Sequence, residues 1–448
     1  MTLKNLLYII VPLICSNGFA QKAWTLDECV AYAIDHNLQL NELLFTEQAN
    51  KETYQQSKRS LLPTINGFSD YGISYGRQTN PNDNSIVNTD FFSNNYSISA
   101  SFDIFQGFQK INGIKAARYI YNAAKEERLQ QKYLLAFRVM AAYYDIQFIQ
   151  GLISISKEQV TISQRNYDLV KQQIELGLTA GADLYEAEAL LFADKLALTQ
   201  NENRLIAAKL TLLQEMNISH EDDIIVAPEL KNLTIENARK ESVAADSVFD
   251  LAKDFIPLIK AQELRVKAAK KQVAVARGDL YPSLLIQGRV ATGYYETITD
   301  SLDMTIPFRT QFRDNTNEFI GVSLNVPLSN AWSNRSRVKQ QKIALDRAKN
   351  TAKVQEQELY QLIQQLVQQN NALRAEVQQT EKQVKSQELA FSIAQKRYEK
   401  GLVNAIELGQ AKTLFATAQN QNLQAQLQLR VNKSTLDFYK GLPVFNIN

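Results

Sequence analysis

The chain has 448 residues, and its 49 Lys and Arg residues nearly balance its 47 Asp and Glu residues, for a formal net charge of +2 at pH 7. This balance provides neither the basic surface typical of nucleic-acid binding nor an acidic tail, so no nucleic-acid partner is expected. The length suffices for two or three ordinary domains or for one elongated one.

Residues 1–20 have the pattern of a secretory signal peptide, with an apolar run that ends at Cys15 and a cleavage site after Ala20. Lipidation of Cys15 is the weaker alternative, because Ile14 is not the small residue that this modification requires. After cleavage Cys29 is the sole cysteine, which excludes an intrachain disulfide. No later stretch reaches the ~20 apolar residues of a membrane-spanning helix, so a membrane crossing would need strands.

The first half of the mature chain, residues 21–230, begins with one helix and two strands. The helix is predicted over about Leu26–Ser60 and ends before Pro63. Two segments follow in which apolar and polar residues alternate, which is typical of half-buried strands. They predict a β-hairpin over residues 65–104 with a polar loop between its strands.

A long helical hairpin is predicted next, over residues 107–216, in a stretch without proline. Because proline breaks helices, such a stretch can hold long ones. Apolar residues recur there every seven positions, which predicts coiled-coil packing. A second apolar seam on the first helix indicates a neighbour on each side, as in a ring of helices.

The second half, residues 231–448, repeats this order. A helix is predicted over about Ser247–Asp279, a β-hairpin over residues 284–326 and a second long helical hairpin over residues 332–439. The chain therefore has an internal two-fold repeat.

The turn between the two long helices occurs twice, 224 residues apart. Gly177 of the first turn corresponds to Gly401 of the second, and the acidic residue Asp183 corresponds to Glu407. A glycine after a helix permits a left-handed terminal residue, and an acid near the next helix start interacts favourably with the helix dipole. These structural needs explain most of the pattern. A functional role is the alternative, because three copies of Asp183 would form an acidic ring at a pore mouth.

Four alternating strands of about ten residues resemble the strands of a transmembrane β-barrel, yet bacterial barrels begin at about eight strands. Open sheet edges in lipid would leave backbone groups unpaired, which is costly. Membrane insertion therefore requires several chains, and three chains would supply twelve strands. The alternative is a secreted coiled-coil scaffold or adhesion protein with soluble β-hairpin arms. A general diffusion porin would need many more strands per chain.

The sequence contains no constellation of residues typical of an enzyme. His36 and His220 are isolated, so neither is expected to bind a metal. The phosphate-binding loop of nucleotide-driven transporters is missing from the sequence. We therefore expect no catalytic residues, no metal and no cofactor.

With its signal peptide, its duplication and its two strand-exit motifs (Asp103–Gly107 and Pro327–Ala331), the chain resembles the TolC-like outer-membrane efflux proteins. These proteins are the outer membrane factors of tripartite export systems. The likeness covers essentially the whole mature chain. Its most specific residues are those of the paired turns: Gly177, Leu178, Asp183, Leu184, Tyr398, Gly401, Leu402, Glu407 and Leu408.

The resemblance implies a mainly α-helical fold with transmembrane β-strands. Four strands from each chain of a homotrimer would form one twelve-stranded outer-membrane β-barrel, continued by a long periplasmic α-helical coiled-coil barrel. An equatorial belt would come from about residues 217–246 and the C-terminal tail. The protein would lie in the outer membrane of a Gram-negative bacterium, in contact with its lipid, and extend into the periplasm.

The implied function is a passive exit duct for small molecules or proteins, in an efflux or type I secretion system. An inner-membrane RND or ABC pump would drive export through a periplasmic adaptor, the membrane fusion protein. The paired turns would form the periplasmic tip, where the duct narrows and the adaptor docks. Tyr398 matches the family's tip tyrosine, but Val403 replaces a basic residue and Gln410 replaces a second acid. The family's charge network that locks the tip is thus not expected in its usual form, whereas the acidic ring at Asp183 is kept.

Overall fold

The computed structural model describes residues 23–79, 84–88, 90–177, 181–218, 224–227, 244–302 and 304–445. The predicted signal peptide and most of the predicted equatorial segment lie outside these residues. The helices are α1 (Leu26–His36), α2 (Leu38–Arg59), α3 (Gln109–Glu175), α4 (Gly181–Glu215), α5 (Ala245–Phe255), α6 (Pro257–Gly278), α7 (Phe308–Asp314), α8 (Ser333–Glu399) and α9 (Ala405–Tyr439). The strands are β1 (Ala23–Trp24), β2 (Thr64–Ser74), β3 (Arg77–Thr79), β4 (Ile86–Asn88), β5 (Phe91–Gln106), β6 (Ile225–Val226), β7 (Ser283–Tyr295) and β8 (Asn317–Asn325).

The two long helical hairpins have the same dimensions in both halves of the chain. Helices α3 and α8 each have 67 residues, and α4 and α9 each have 35. The predicted mainly helical fold is confirmed. On α3, Val139 and Ile146 of the first heptad seam are fully buried, whereas Ile162 and Leu169 of the second seam are half-buried.

The prediction of a single helix before each hairpin of strands was wrong, because each of these helices is broken in two. Ile256 has an extended backbone (φ −61°, ψ 123°), and Pro257 after it is the first residue of α6. Proline disfavours the helical conformation of the residue before it, so α5 ends there. In the first half Asn37 has the same extended conformation (φ −72°, ψ 120°) between α1 and α2, 219 residues earlier. The break is therefore also duplicated.

Four long strands form one antiparallel sheet in the order β2-β5-β7-β8, so the two β-hairpins lie side by side through β5 and β7. Cross-strand pairs on one face are apolar, such as Ile98 with Val290 and Ile286 with Val322. The neighbouring pairs, such as Ser99 with Arg289, place polar residues on the other face. The apolar face is largely exposed in the single chain.

Five small elements were not predicted: strands β1, β3, β4 and β6 and helix α7. Strands β1 and β6 form a short parallel pair, and Tyr143 and Gln147 of α3 both donate hydrogen bonds to the Ala227 carbonyl oxygen beside it, at 2.9 and 3.0 Å. Strands β3 and β4 extend the first hairpin. Helix α7 packs on the sheet, where the centroid of the Phe312 ring lies 5.6 Å from the centroid of the Tyr96 ring.

The chain forms two compact units, and each unit contains segments of both sequence halves. The first comprises Met1–Leu38, Lys132–Val248 and Ile363–Asn448, and the second comprises Gln39–Gln131 and Phe249–Leu362. The long sheet belongs to the second unit, and the turns at the ends of the helical hairpins belong to the first. None of the helices in the described part of the chain carries an apolar stretch suited to spanning a bilayer.

Candidate functional site

Both turns contain a glycine in the left-handed conformation, as the sequence predicts. Gly177 follows α3 with φ +71°, and Gly401 follows α8 with φ +67°. At the second turn Leu402 N donates to the Arg397 carbonyl oxygen at 2.9 Å, which closes the helix end. A Cβ at either glycine would meet no atom within 4 Å. The backbone conformation, rather than a lack of space, therefore favours glycine at these two positions.

The acidic residues lie in the first turn of the helix that follows. Asp183 is in the first turn of α4. Glu407 is in the first turn of α9, where its N–H donates to the side chain of the capping residue Asn404 at 2.9 Å. Glu407 also pairs with Arg397 across the second turn, with 3.4 Å between Nη1 and Oε1. Leu178 lies outside the described residues.

An apolar cluster joins the two turns at the ends of the four long helices. Its buried members are Val170 of α3, Ala187 of α4, Phe391, Ala394 and Tyr398 of α8, and Ala405, Leu408 and Phe415 of α9. Leu184 is half-buried against this cluster, and so is Val403. Leu402 is instead 64% exposed. The structure thus brings Leu184, Tyr398 and Leu408 together, and leaves Leu402 at the surface.

Tyr398 and Asp183 are electrostatically coupled although they lie on different helical hairpins. Burial, and secondarily the negative charge of Asp183, raises the pKa of the Tyr398 hydroxyl above its ordinary value. Tyr398 is therefore neutral at physiological pH. The coupling links the first turn to the second within one chain.

A groove of about 620 Å³ runs between α4 and α9. Gly409 lines this groove, and a Cβ there would lie 3.2 Å from Leu190 Cδ1. The small residue therefore lets the two helices approach closely. Gln410 lines this groove together with Glu186.

A buried polar group that was not predicted from the sequence joins three of these helices. The Lys412 ammonium group of α9 donates hydrogen bonds to Asp194 of α4 and Ser163 of α3, and Ser163 also bonds to Asp194. Lys412 is 6% exposed. A signal was present, because Lys412 stands four residues after Leu408 and three before Phe415, in an apolar helical stripe.

The described residues contain no group of three or more His, Cys, Asp or Glu residues that is suited to holding a metal ion. The site is instead a junction of helix ends with apolar, acidic and buried polar parts.

Comparison with known proteins gives a family match over most of the chain. The family model described as "Outer membrane efflux protein" matches residues 30–217 and 249–442. The outer membrane efflux protein BepC of Brucella suis is 22% identical over 413 residues, which are 92% of this chain and 82% of that protein. The probable efflux pump outer membrane protein SepC of Pseudomonas putida is 24% identical over 60% of this chain, and the match spans 54% of that protein.

Solved structures show the same fold. The CmeC outer membrane channel of Campylobacter jejuni matches with a TM-score of 0.78 at 14% identity. The match covers 93% of this chain and 85% of that one.

Proposed function

The chain belongs to the outer membrane efflux protein family, and on this premise we propose that three copies of it form the exit duct of a tripartite export system. The protein is located in the outer membrane, and its helices extend into the periplasm. An inner-membrane pump of the RND or ABC class drives export through a periplasmic adaptor. The duct itself is passive, and the pump selects the small molecules or proteins that are exported.

The sheet is the observation that carries this proposal. Its apolar face is exposed in the single chain, with Ile320 of β8 at 86% and Ile65 of β2 at 68%. Among the described strands of this sheet, β2 and β8 each have a neighbour on one side only. Open edges within a bilayer cost several kcal/mol for each unpaired group. Pairing β8 of one copy with β2 of the next satisfies both edges, and three copies close a barrel of twelve strands.

The paired turns are the proposed periplasmic tip, where the duct narrows and the adaptor docks. The left-handed glycines Gly177 and Gly401 make these turns tight, and the exposed Leu402 offers an apolar contact to a partner. Leu178, although outside the described residues, remains part of the proposed docking site. Three copies of Asp183 around the axis would give the entrance a negative charge, which favours cations.

Membrane fractionation tests this function against the secreted scaffold. Washing isolated outer membranes with urea releases proteins that are held only by surface contacts. We expect this protein to stay in the washed membrane and, after detergent extraction, to give discrete conductance steps in a planar lipid bilayer. Release by urea together with an inert bilayer would contradict the exit duct and favour a soluble coiled-coil scaffold.

A further inference from the structure

Four helices meet the long sheet at the same end. Helices α2 and α6 lead into β2 and β7, whereas α3 and α8 follow β5 and β8, and the antiparallel register places the four junctions together. The Asp279 carboxylate, just after α6, accepts hydrogen bonds from Gln109 of α3 at 2.8 Å and from Arg337 of α8 at 2.5 Å. Lys110 of α3 donates to the Ser60 carbonyl oxygen after α2 at 2.6 Å. The four helix ends therefore form one surface beside the sheet.

This surface is strongly basic. The ten residues of each helix nearest the sheet, here together called the basic collar, are 50–59, 109–118, 269–278 and 333–342. The basic collar contains thirteen Lys or Arg residues and one acid, Glu52, although the whole chain is nearly balanced. At the two turns, the ten nearest residues of α3, α4, α8 and α9 contain four Lys or Arg residues and seven acids. Positive charge is thus concentrated next to the sheet.

Nearby acids neutralise only a small part of this charge. Three collar cations form ion pairs with acids in or beside the collar: Arg59 with Glu52, Lys110 with Asp103, and Arg337 with Asp279. Several of the other cations are exposed: Lys115, Arg118, Lys270, Lys339 and Lys342. An excess of like charges on one surface repels itself unless anions from outside the chain compensate it. The basic collar therefore favours an anionic partner.

Two exposed aromatic residues connect the collar to the apolar face of the sheet. Phe108 and Trp332, just before α3 and α8, are 61% and 68% exposed and stand 224 residues apart, as the turns do. Both have left-handed backbones (φ +62° and +66°), which are unfavourable for a residue with a Cβ. The Phe108 ring centroid lies 5.2 Å from that of Phe105, which pairs with Leu284 on the apolar face. The Arg335 guanidinium lies 4.3 Å from the Trp332 ring centroid. Aromatic residues beside an apolar strand face are typical of the headgroup level of a bilayer.

We propose that the basic collar binds the headgroups of acidic phospholipids in the periplasmic leaflet of the outer membrane. The inference rests on the proposed function, which places the sheet in the bilayer. Ten helical residues span about 15 Å, which equals a headgroup layer of about 5–7 Å and one Debye length of about 8 Å. Cations within this distance attract anionic lipids, and an arginine can hold a phosphate through two hydrogen bonds. The collar thereby selects acidic over zwitterionic lipid around the barrel.

Quenching of Trp332 fluorescence by brominated lipids measures this preference. The chain has two tryptophans, so Trp24→Phe leaves Trp332, beside the collar, as the sole reporter. This parent protein is reconstituted in phosphatidylcholine vesicles with increasing fractions of brominated phosphatidylglycerol or brominated phosphatidylcholine. We expect the quenching curves to show about fivefold tighter binding of phosphatidylglycerol. The preference should fall towards zero at high salt, because ions screen exposed charges.

Glutamine substitutions in the parent protein test the collar itself. The collar variant removes four exposed charges: Lys115→Gln, Arg118→Gln, Lys339→Gln and Lys342→Gln. The matched control removes exposed charges of the same residue types farther along α3 and α8: Arg165→Gln, Lys171→Gln, Lys382→Gln and Lys385→Gln. We expect the two brominated lipids to quench the collar variant equally, whereas the control should keep the preference of the parent.

Equal quenching of the parent by both lipids at low salt would overturn the proposal, and so would a collar variant that keeps the preference. A collar variant with altered ion selectivity and unchanged lipid preference would place these cations inside the duct, which also contradicts lipid binding. If the collar variant does not insert, the salt series on the parent decides, because a preference that persists at high salt is not electrostatic. In all these cases phosphatidylcholine still quenches the parent. A Trp332 that neither lipid quenches would instead contradict the proposed function, since the sheet would then lie outside the membrane.

Discussion

Ionisation of Tyr398 makes the stability of the folded protein depend on pH in the alkaline range. Because its pKa is raised in the folded protein, the folded state keeps this proton at pH values where the unfolded chain has lost it. Stability is therefore fully present below about pH 10, the ordinary tyrosine pKa, and falls as pH rises through the folded pKa. The linkage concerns the hydroxyl group alone, so Tyr398→Phe should remove it.

The measurement is the thermal unfolding midpoint in detergent, compared at about pH 8 and about pH 11. We expect the midpoint of the wild type to fall further than that of Tyr398→Phe, since other ionising groups are common to both. Equal falls would show that Tyr398 titrates as it does in the unfolded chain.

Substitution of Asp183 tests whether the proposed duct entrance carries a negative charge. Asp183→Asn keeps the size of the side chain and removes its charge, so three charges disappear from a trimer. We expect the reversal potential in a salt gradient to show weaker cation preference. Asp346→Asn is the control, since Asp346 is an exposed acid of α8 that pairs with Lys349. An unchanged reversal potential in Asp183→Asn would mean that Asp183 acts only on the start of α4 and on Tyr398.

At the scale of elements, the two helical turns depend on left-handed glycine. Gly401→Ala should lower the free energy of unfolding by about 1–2 kcal/mol, because a Cβ is unfavourable at φ +67°. Gly113 is the matched control, since it lies inside α3 with no atom within 4 Å of a Cβ placed there. Gly113→Ala should raise stability by about 0.5–1 kcal/mol. Denaturant unfolding measures both, and a neutral Gly401→Ala would contradict the strained turn.

Elements with strong local patterns were predictable, and those made by distant contacts were not. Heptads and proline-free stretches placed both long helical hairpins within a few residues of their observed ends. Pro257 indicates the break at Ile256, but the helical pattern of the surrounding residues favoured a single helix. The β1–β6 pair joins residues about 200 positions apart, and two-residue strands carry no periodic signal.

In the candidate site, too, the residues with a local sequence pattern were predictable and the distant contacts were not. The turn glycines and acids were identified from the repeat, because each half confirms the other. The partner of Lys412 was not predictable, since Asp194 lies 218 residues away on another hairpin. A charge within an apolar stripe indicates a buried partner, but only the packing of three helices identifies it.

At the scale of the whole molecule, one chain cannot close a β-barrel by itself. Its sheet has an exposed apolar face and, among the described strands, two edge strands that each pair with a neighbour on one side only. Closing these edges requires other copies, since four strands are about half of the smallest known bacterial barrel. The ring of helices that the two seams of α3 predict needs the same neighbours.

The native mass of the detergent-extracted protein, with the bound detergent subtracted, tests this claim most directly. We predict a mass of three chains that persists on dilution, because separation would expose the edges of β2 and β8. A monomer that is stable in detergent would contradict the shared barrel, and with it the exit duct.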